Sequence, residues 1–317
     1  MSDTEQSSKW QNPEINTYNT LGTFMRCPLL RAEGPAPDVV ILGIPFDLGT
    51  TYRPGARFGP SAIRSASAQL ARRKMFPWGF NPTETLQVMD AGDMQLDAQH
   101  PEKIFLQIVD HAKALLARGM KLLSLGGDHY ISYPLLAAHS EQYGIPLRLL
   151  HFDAHTDTWP DPSMTSISHG TMFYKAVQSG LVDVEHSVQV GIRTWNDDTL
   201  GIHQITAPDF HATSDEAVIA RIREVLGDGP VYLTFDIDCL DPAYAPGTGT
   251  PVVGGMPTQR ILSVLRGLKG INIIGADVVE VAPAYDHGEI TANAGAHIAA
   301  EQLCLFSMNP GRKNSAY

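Results

Sequence analysis

Cysteine is scarce in this chain. Three thiols in 317 residues, Cys27, Cys239 and Cys304, lie far apart, are odd in number and form no C-x-x-C pair. That excludes a disulfide framework and points to reduced thiols in the cytosol. Long apolar runs are also missing: none reaches the ~18 residues that a membrane-spanning helix needs. The first twenty residues contain no apolar signal core. Together these absences predict a soluble, cytoplasmic protein with no membrane partner. Positive charge is in deficit as well. Lys and Arg total 23 against 34 Asp and Glu, a formal net charge of −11, and the one basic cluster is ARRK at 71–74. A nucleic-acid binder carries a basic patch, so no nucleic-acid partner is expected. The acidic balance favours small cationic molecules instead. No G-x-x-x-x-G-K-[ST] phosphate loop is present, which removes P-loop nucleotide chemistry.

What the chain does have is core. Hydrophobic residues make up 43% and charged residues 18%, a balance suited to a large buried interior. Residues 1–36 are polar and contain proline, and read as an arm; 37–317 reads as a single domain. Within it, apolar runs at 38–44, 86–92, 120–127, 147–153, 187–192, 231–238 and 271–279, with a weaker one near 203–205, predict strands. Most are continuously apolar, as in parallel strands buried on both faces. Helix-length amphipathic stretches lie between them at 60–72, 102–118, 213–226, 257–268 and 290–307. This alternation predicts an α/β fold, a parallel sheet with helices on both sides. In such sheets functional residues gather just beyond the carboxyl ends of the strands.

The strand ends are rich in metal-binding side chains. LGGDHY supplies Asp128 and His129, HFDAHTDT supplies Asp153, His155 and Asp157, and FDIDCLDPA supplies Asp236, Asp238 and Asp241. GADVVEVAPAYD adds Asp277 and Glu280, and His169-Gly170 opens the helix after the fourth strand. Spacing of two residues in extended chain turns Asp153, His155 and Asp157 to one face. One Asp-x-Asp at a strand end is ordinarily a turn. Here the acids recur at several ends facing one edge of the sheet, and bare charge there is costly. Four carboxylates and two imidazoles form a plausible shell for two divalent cations, and oxygen-rich ligation favours manganese over zinc. Two metals sharing a water lower its pKa toward neutrality, which predicts hydrolysis.

Six motifs carry a family resemblance: GGDH (126–129), HFDAHTDT (151–158), HGTMF (169–173), GIRT (191–194), FDIDCLDPAYAPGTGTPVVGG (235–255) and DVVEVAPAYD (277–286). With them the chain resembles the ureohydrolases, the arginase, agmatinase and guanidino-acid hydrolase enzymes, and most of all bacterial agmatinases. The resemblance implies a three-layer α/β/α sandwich on a mostly parallel eight-stranded sheet, with two Mn2+ per chain. It implies His129, Asp153, Asp157 and Asp236 around one metal, and His155, Asp153, Asp236 and Asp238 around the other. It further implies His169 as a proton-transfer residue, Asp157 as a proton acceptor and Glu280 as the carboxylate that holds a guanidinium. A metal-bridging hydroxide would attack the guanidinium carbon and release urea and an amine. Homotrimers or homohexamers are the assemblies the family implies.

The loop TWPDPSMTSIS (158–168) departs from the agmatinase pattern: Ser168, not an acid, precedes His169, and Asp161 is its one acid. The loop is expected to meet the substrate tail. Agmatine therefore leads, a guanidino acid such as guanidinobutyrate or guanidinopropionate follows, and arginine is third. A non-catalytic scaffold and a single-zinc amide hydrolase are the alternatives of another class. Against a scaffold, all eight positions named above for metal and catalysis are intact.

Overall fold

A computed structural model describes residues 22–97 and 99–310. Eight strands form one sheet: β1 (Val39–Ile44), β2 (Val88–Asp93), β3 (Lys121–Gly126), β4 (Arg148–Phe152), β5 (Val188–Ile192), β6 (His203–Thr206), β7 (Val231–Asp236) and β8 (Ile273–Val279). Their order is β2-β1-β3-β8-β7-β4-β5-β6, and every pairing is parallel. All residues of β1, β7 and β8 are buried. Helices therefore cover both faces, as the continuous apolar runs require. The weak eighth run is β6, a four-residue edge strand with an exposed first residue.

The helices are α1 (Gly59–Ser67), α2 (Pro82–Thr85), α3 (Ile104–Leu116), α4 (Ser132–Tyr143), α5 (Met172–Gln178), α6 (Ala207–Ala212), α7 (Asp215–Leu226), α8 (Thr258–Gly267) and α9 (Ile290–Ser307). Two apolar clusters fill the two sides of the sheet, one including Ile41, Phe235 and Phe306, the other Leu42, Leu122 and Tyr232. Local chemistry sets several boundaries. Ser214 caps α7 by accepting from Ala217 N–H, and Thr206 with Asp209 makes a reciprocal cap on α6.

The sequence reading missed α4. Its residues from Ser132 to Leu136 and from Ala138 to Ser140 are buried. A helix covered nearly all round lacks the polar stripe that marks an amphipathic one. Residues 1–21 of the expected arm lie outside the described residues. The remainder runs along the sheet edge, where Leu30 N–H bonds Asp90 O at 2.8 Å and Phe24, Met25 and Cys27 are buried. Of the aromatics in FPWGF, Trp78 and Phe80 pack on the core while Phe76 is exposed.

The topology places the site. The chain builds β1 to β3, crosses to β4, runs out to β6, and returns so that β7 and β8 fill the gap between β3 and β4. The four central strands β3, β8, β7 and β4 thus come from distant parts of the sequence. Their carboxyl ends deliver His129, Glu280, Asp236 and Asp153 side by side.

Candidate active site

The carboxylates at these strand ends each use one oxygen locally and the other centrally. Asp153 Oδ1 accepts from His155 N–H at 2.6 Å, and Asp236 Oδ1 from Asp238 N–H at 2.8 Å. Asp238 Oδ1 accepts from Ala154 N–H at 3.1 Å. These short turns explain the Asp-x-His and Asp-x-Asp spacings. The second oxygens converge: Oδ2 of Asp153, Asp157 and Asp236 lie 3.0, 3.0 and 3.2 Å from His129 Nδ1. Beside them, His155 Nδ1 sits 3.3 Å from Asp153 Oδ1 and 3.1 Å from Asp238 Oδ2. All six expected ligands are therefore brought together in two groups that share Asp153. Asp157 holds its place with a left-handed backbone, φ 53°, a conformation that costs a non-glycine residue free energy.

Hydrogen bonds beneath the cluster decide what it fits. Thr234, on β7, donates its hydroxyl proton to Asp277 Oδ1 at 2.6 Å and meets His129 Nε2 at 2.8 Å. With its proton so engaged, Thr234 accepts there, which assigns the His129 proton to Nε2. Nδ1 then turns a lone pair toward three carboxylate oxygens, buried and without a hydrogen bond. Only a positive charge reconciles them. Burial opposes protonation of His129, but the three carboxylates outweigh it and raise its pKa well above the ordinary value. A cation bound there displaces that proton.

The same electrostatics runs through the group. Burial, joined by Asp238 and Asp153, pushes the Asp236 carboxyl well up. Burial also raises Asp238, against the pull of His155. Asp153 moves the other way: burial would raise it, but His151, His129 and His155 hold it well down. Burial likewise opposes protonation of His155, yet Asp238 and Asp153 raise it to about 12. Oxygen and nitrogen donors around unneutralised negative charge are suited to a pair of metal ions.

The sequence reading passed over His151. It lies two residues before Asp153 on the same strand face, and that spacing was the available signal. Its Nε2 is 2.7 Å from Asp153 Oδ2, so proximity alone would count it among metal ligands. However, Gln189 Nε2 donates to its Nδ1 at 3.1 Å, which leaves the proton on Nε2. We read His151 as a donor that orients Asp153. Three other strand-end acids stay outside the cluster. Asp128 accepts from Gly49 and Tyr130 N–H, Asp241 from Ala243, Gly254 and Gly255 N–H, and Asp277 from Ser132, Tyr232 and Thr234 hydroxyls.

His169 does not cap α5; that helix begins after Thr171 with no side-chain cap. Its Nδ1 instead bonds Glu280 Oε1 at 2.8 Å, and its Nε2 bonds Thr51 Oγ1 at 2.9 Å. Burial opposes the charged ring, but Glu280, Asp157 and Asp128 outweigh it and raise His169 to about 9. Glu280 also has a left-handed backbone, φ 64°, and its Oε1 accepts from His129 N–H at 2.8 Å. Its Oε2 is buried without a partner, beside Gly249. Glu280 is not tied up by the nearby arginines: Arg57 pairs with Asp47, and Arg53 lies over the rings of Tyr52 and Tyr285.

A cavity of about 290 Å³ opens onto the cluster, with His155, Asp157, Asp236 and His169 at its floor. Its walls are Thr51, Trp159, Ser168, Gly170, Thr171 and Thr250. Thr250 comes from the Gly- and Pro-rich loop at 241–255, which thus forms part of the pocket wall. Asp161, the acid expected near the substrate tail, turns away. It pairs with the wholly buried Lys175 of α5 at 3.1 Å and accepts from Thr171 and Ser166 hydroxyls.

Comparison with known proteins agrees with this geometry. An agmatinase of Chromobacterium violaceum is 58% identical over 292 residues, 92% of this chain and 90% of that protein. A crystal structure described as a hypothetical agmatinase from Burkholderia thailandensis superposes with a TM-score of 0.90 at 56% identity, covering 92% of each chain. Proclavaminate amidino hydrolase from Streptomyces clavuligerus gives 0.87 at 38% identity, covering 93% of this chain and 99% of that one. The arginase family matches residues 37–304, and this chain belongs to it.

Proposed function

We propose that the protein is a dinuclear manganese metallohydrolase that cleaves the guanidinium group of agmatine to urea and putrescine. The observation that carries this reading is the junction at the cavity floor. There a cluster suited to two cations meets His169, and bonded to His169 is Glu280, whose second carboxylate oxygen is buried and lacks a donor. An unpaired buried carboxylate oxygen calls for a cationic donor, and a guanidinium supplies planar N–H groups in a fork. The names of the relatives at 58% and 56% identity support the same substrate.

His129, Asp153, Asp157 and Asp236 would hold one ion, and His155, Asp153, Asp236 and Asp238 the other. Bound there, the pair supplies charge that lowers the pKa of water toward neutrality. The chain's own groups do the rest. Glu280 Oε2 orients the guanidinium, and Glu280 Oε1 fixes the His169 ring. Asp157 accepts a proton from the attacking water on the carboxylate oxygen that does not face His129. His169 delivers a proton to the departing amine nitrogen as the C–N bond breaks, so one water and one guanidinium yield urea and an alkylammonium ion. Among the described residues no Lys or Arg lines the cavity, which disfavours guanidino acids with their carboxylate tails. The three buried free thiols support a reducing, cytoplasmic setting, and a homotrimer or homohexamer is the assembly we expect.

The test is urea release by manganese-loaded protein from agmatine, arginine, guanidinobutyrate and guanidinopropionate side by side. Agmatine should be turned over best. Preference for a guanidino acid would move the substrate assignment, and no urea from any of them would refute the reading.

A further inference from the structure

The cavity poses a problem for a substrate with a cationic tail. Beyond the floor, its walls carry hydroxyls, a glycine and one aromatic ring, and no carboxylate. The nearest acid by sequence, Asp161, is spent on Lys175 inside the loop. Trp159 is half-buried and faces the cavity across Gly170: a methyl group at position 170 would lie 3.6 Å from its Cε3. Its ring packs beside that of His155, centroids 6.4 Å apart and tilted by 53°, so the indole stands next to the floor of the cavity. Lys175 Nζ holds Ser166 Oγ at 2.7 Å, and Trp159 N–H bonds Gly170 O at 3.3 Å. The loop that carries the ring is therefore pinned at both ends before substrate arrives.

Given the substrate class proposed above, on which this step rests, we propose that the Trp159 ring face receives the distal ammonium of the substrate. Ser168 and Thr171 complete the contact as hydroxyl acceptors. An indole face is the strongest aromatic partner for a cation, and its negative quadrupole repels a carboxylate. Trp159 is thus the residue that selects amine-tailed guanidines over guanidino acids, without a formal charge in the pocket.

The experiment compares agmatine with butylguanidine, which differs in lacking the ammonium, in manganese-loaded wild type, Trp159→Leu and Trp159→Phe. The readout is the ratio of their kcat/KM values, with metal content checked in each protein. The ratio should fall about tenfold in Trp159→Leu and be partly restored in Trp159→Phe. An unchanged ratio overturns the proposal. If the leucine variant does not fold, fluorinated tryptophans replace it: the ratio should fall with each added fluorine, and a flat series refutes a π contact. If wild type releases no urea from agmatine, the functional reading above falls. The ratio of dissociation constants by calorimetry then judges Trp159 separately, and equal affinities in wild type would overturn it.

Discussion

Thr234→Val isolates the bond that sets the His129 tautomer. Valine keeps the shape and β-branching of the strand residue but cannot accept from His129 Nε2–H, which is 2.8 Å away and buried. Ser132 and Tyr232 both donate to Asp277 Oδ2, at 2.7 and 2.9 Å, so the substitution strands Asp277 Oδ1, with and without metal alike, as well as the imidazole N–H. A buried donor left unpaired costs about 1–3 kcal/mol. In the metal-free protein Nδ1 already carries a proton among the three carboxylates, so the ring can escape that cost by giving up the Nε2 proton; a metal at Nδ1 leaves Nε2–H as the one ring proton and closes that escape. The metal-loaded state therefore bears the imidazole's penalty in addition to the loss at Asp277 that both states share. That corresponds to roughly 10- to 100-fold weaker binding at one site, the range found for partners that orient metal ligands. Manganese titration followed by electron paramagnetic resonance reads the affinity directly, and thermal melts with and without manganese show which state is affected. Wild-type manganese affinity in Thr234→Val, or an equal loss of stability with and without metal, would refute the tautomer argument.

Other consequences can be checked in parallel. Asp153→Ala should lose both metal and activity, whereas His169→Ala should keep its manganese and lose about 10²- to 10⁴-fold in turnover; a fully active His169→Ala removes its proton-transfer role. Lys175→Met strands Asp161 and frees the loop that carries Trp159. We expect a loss of roughly 2–3 kcal/mol by urea denaturation, below that of a fully buried pair because Asp161 is partly exposed, and a raised KM at unchanged metal content. The pH dependence of stability in chelator-treated protein follows from His169 and Asp128. His169, raised to about 9, stabilises the fold fully below its unfolded pKa of about 6.5 and loses that contribution as pH rises through 9. Asp128, raised to about 8 by burial and by Glu280, also destabilises the fold progressively up to that pH. Melting temperature should therefore fall from pH 6.5 to 9, and manganese should raise it more at pH 9; a flat profile contradicts both assignments.

Much of this was legible in the sequence, for physical reasons. Strands buried on both faces, such as β1, β7 and β8, read as unbroken apolar runs and were plain; the partly buried edge strand β2 was legible too, and the short edge strand β6 was the faint one. The six expected ligands stood out because charge at the end of a buried strand needs compensation. What stayed hidden depended on neighbours distant in sequence. Thr234 and Asp277 are partners only because β7 and β8 pair in that register, which no local pattern reports. The engagement of Asp161 by Lys175 is of the same kind, an ion pair between a loop and the helix that follows it. Helix α4 was lost for the opposite reason, since burial on nearly all sides erases the stripe that makes a helix readable.

The central claim is that two cations at this cluster hydrolyse a guanidine. Stepwise addition of manganese to chelated protein, with bound metal and urea release from agmatine measured on the same samples, tests it most directly. Urea release should rise until two equivalents per chain are bound. Saturation at one equivalent, one tightly held zinc with no gain from manganese, or two bound equivalents with no urea would contradict it.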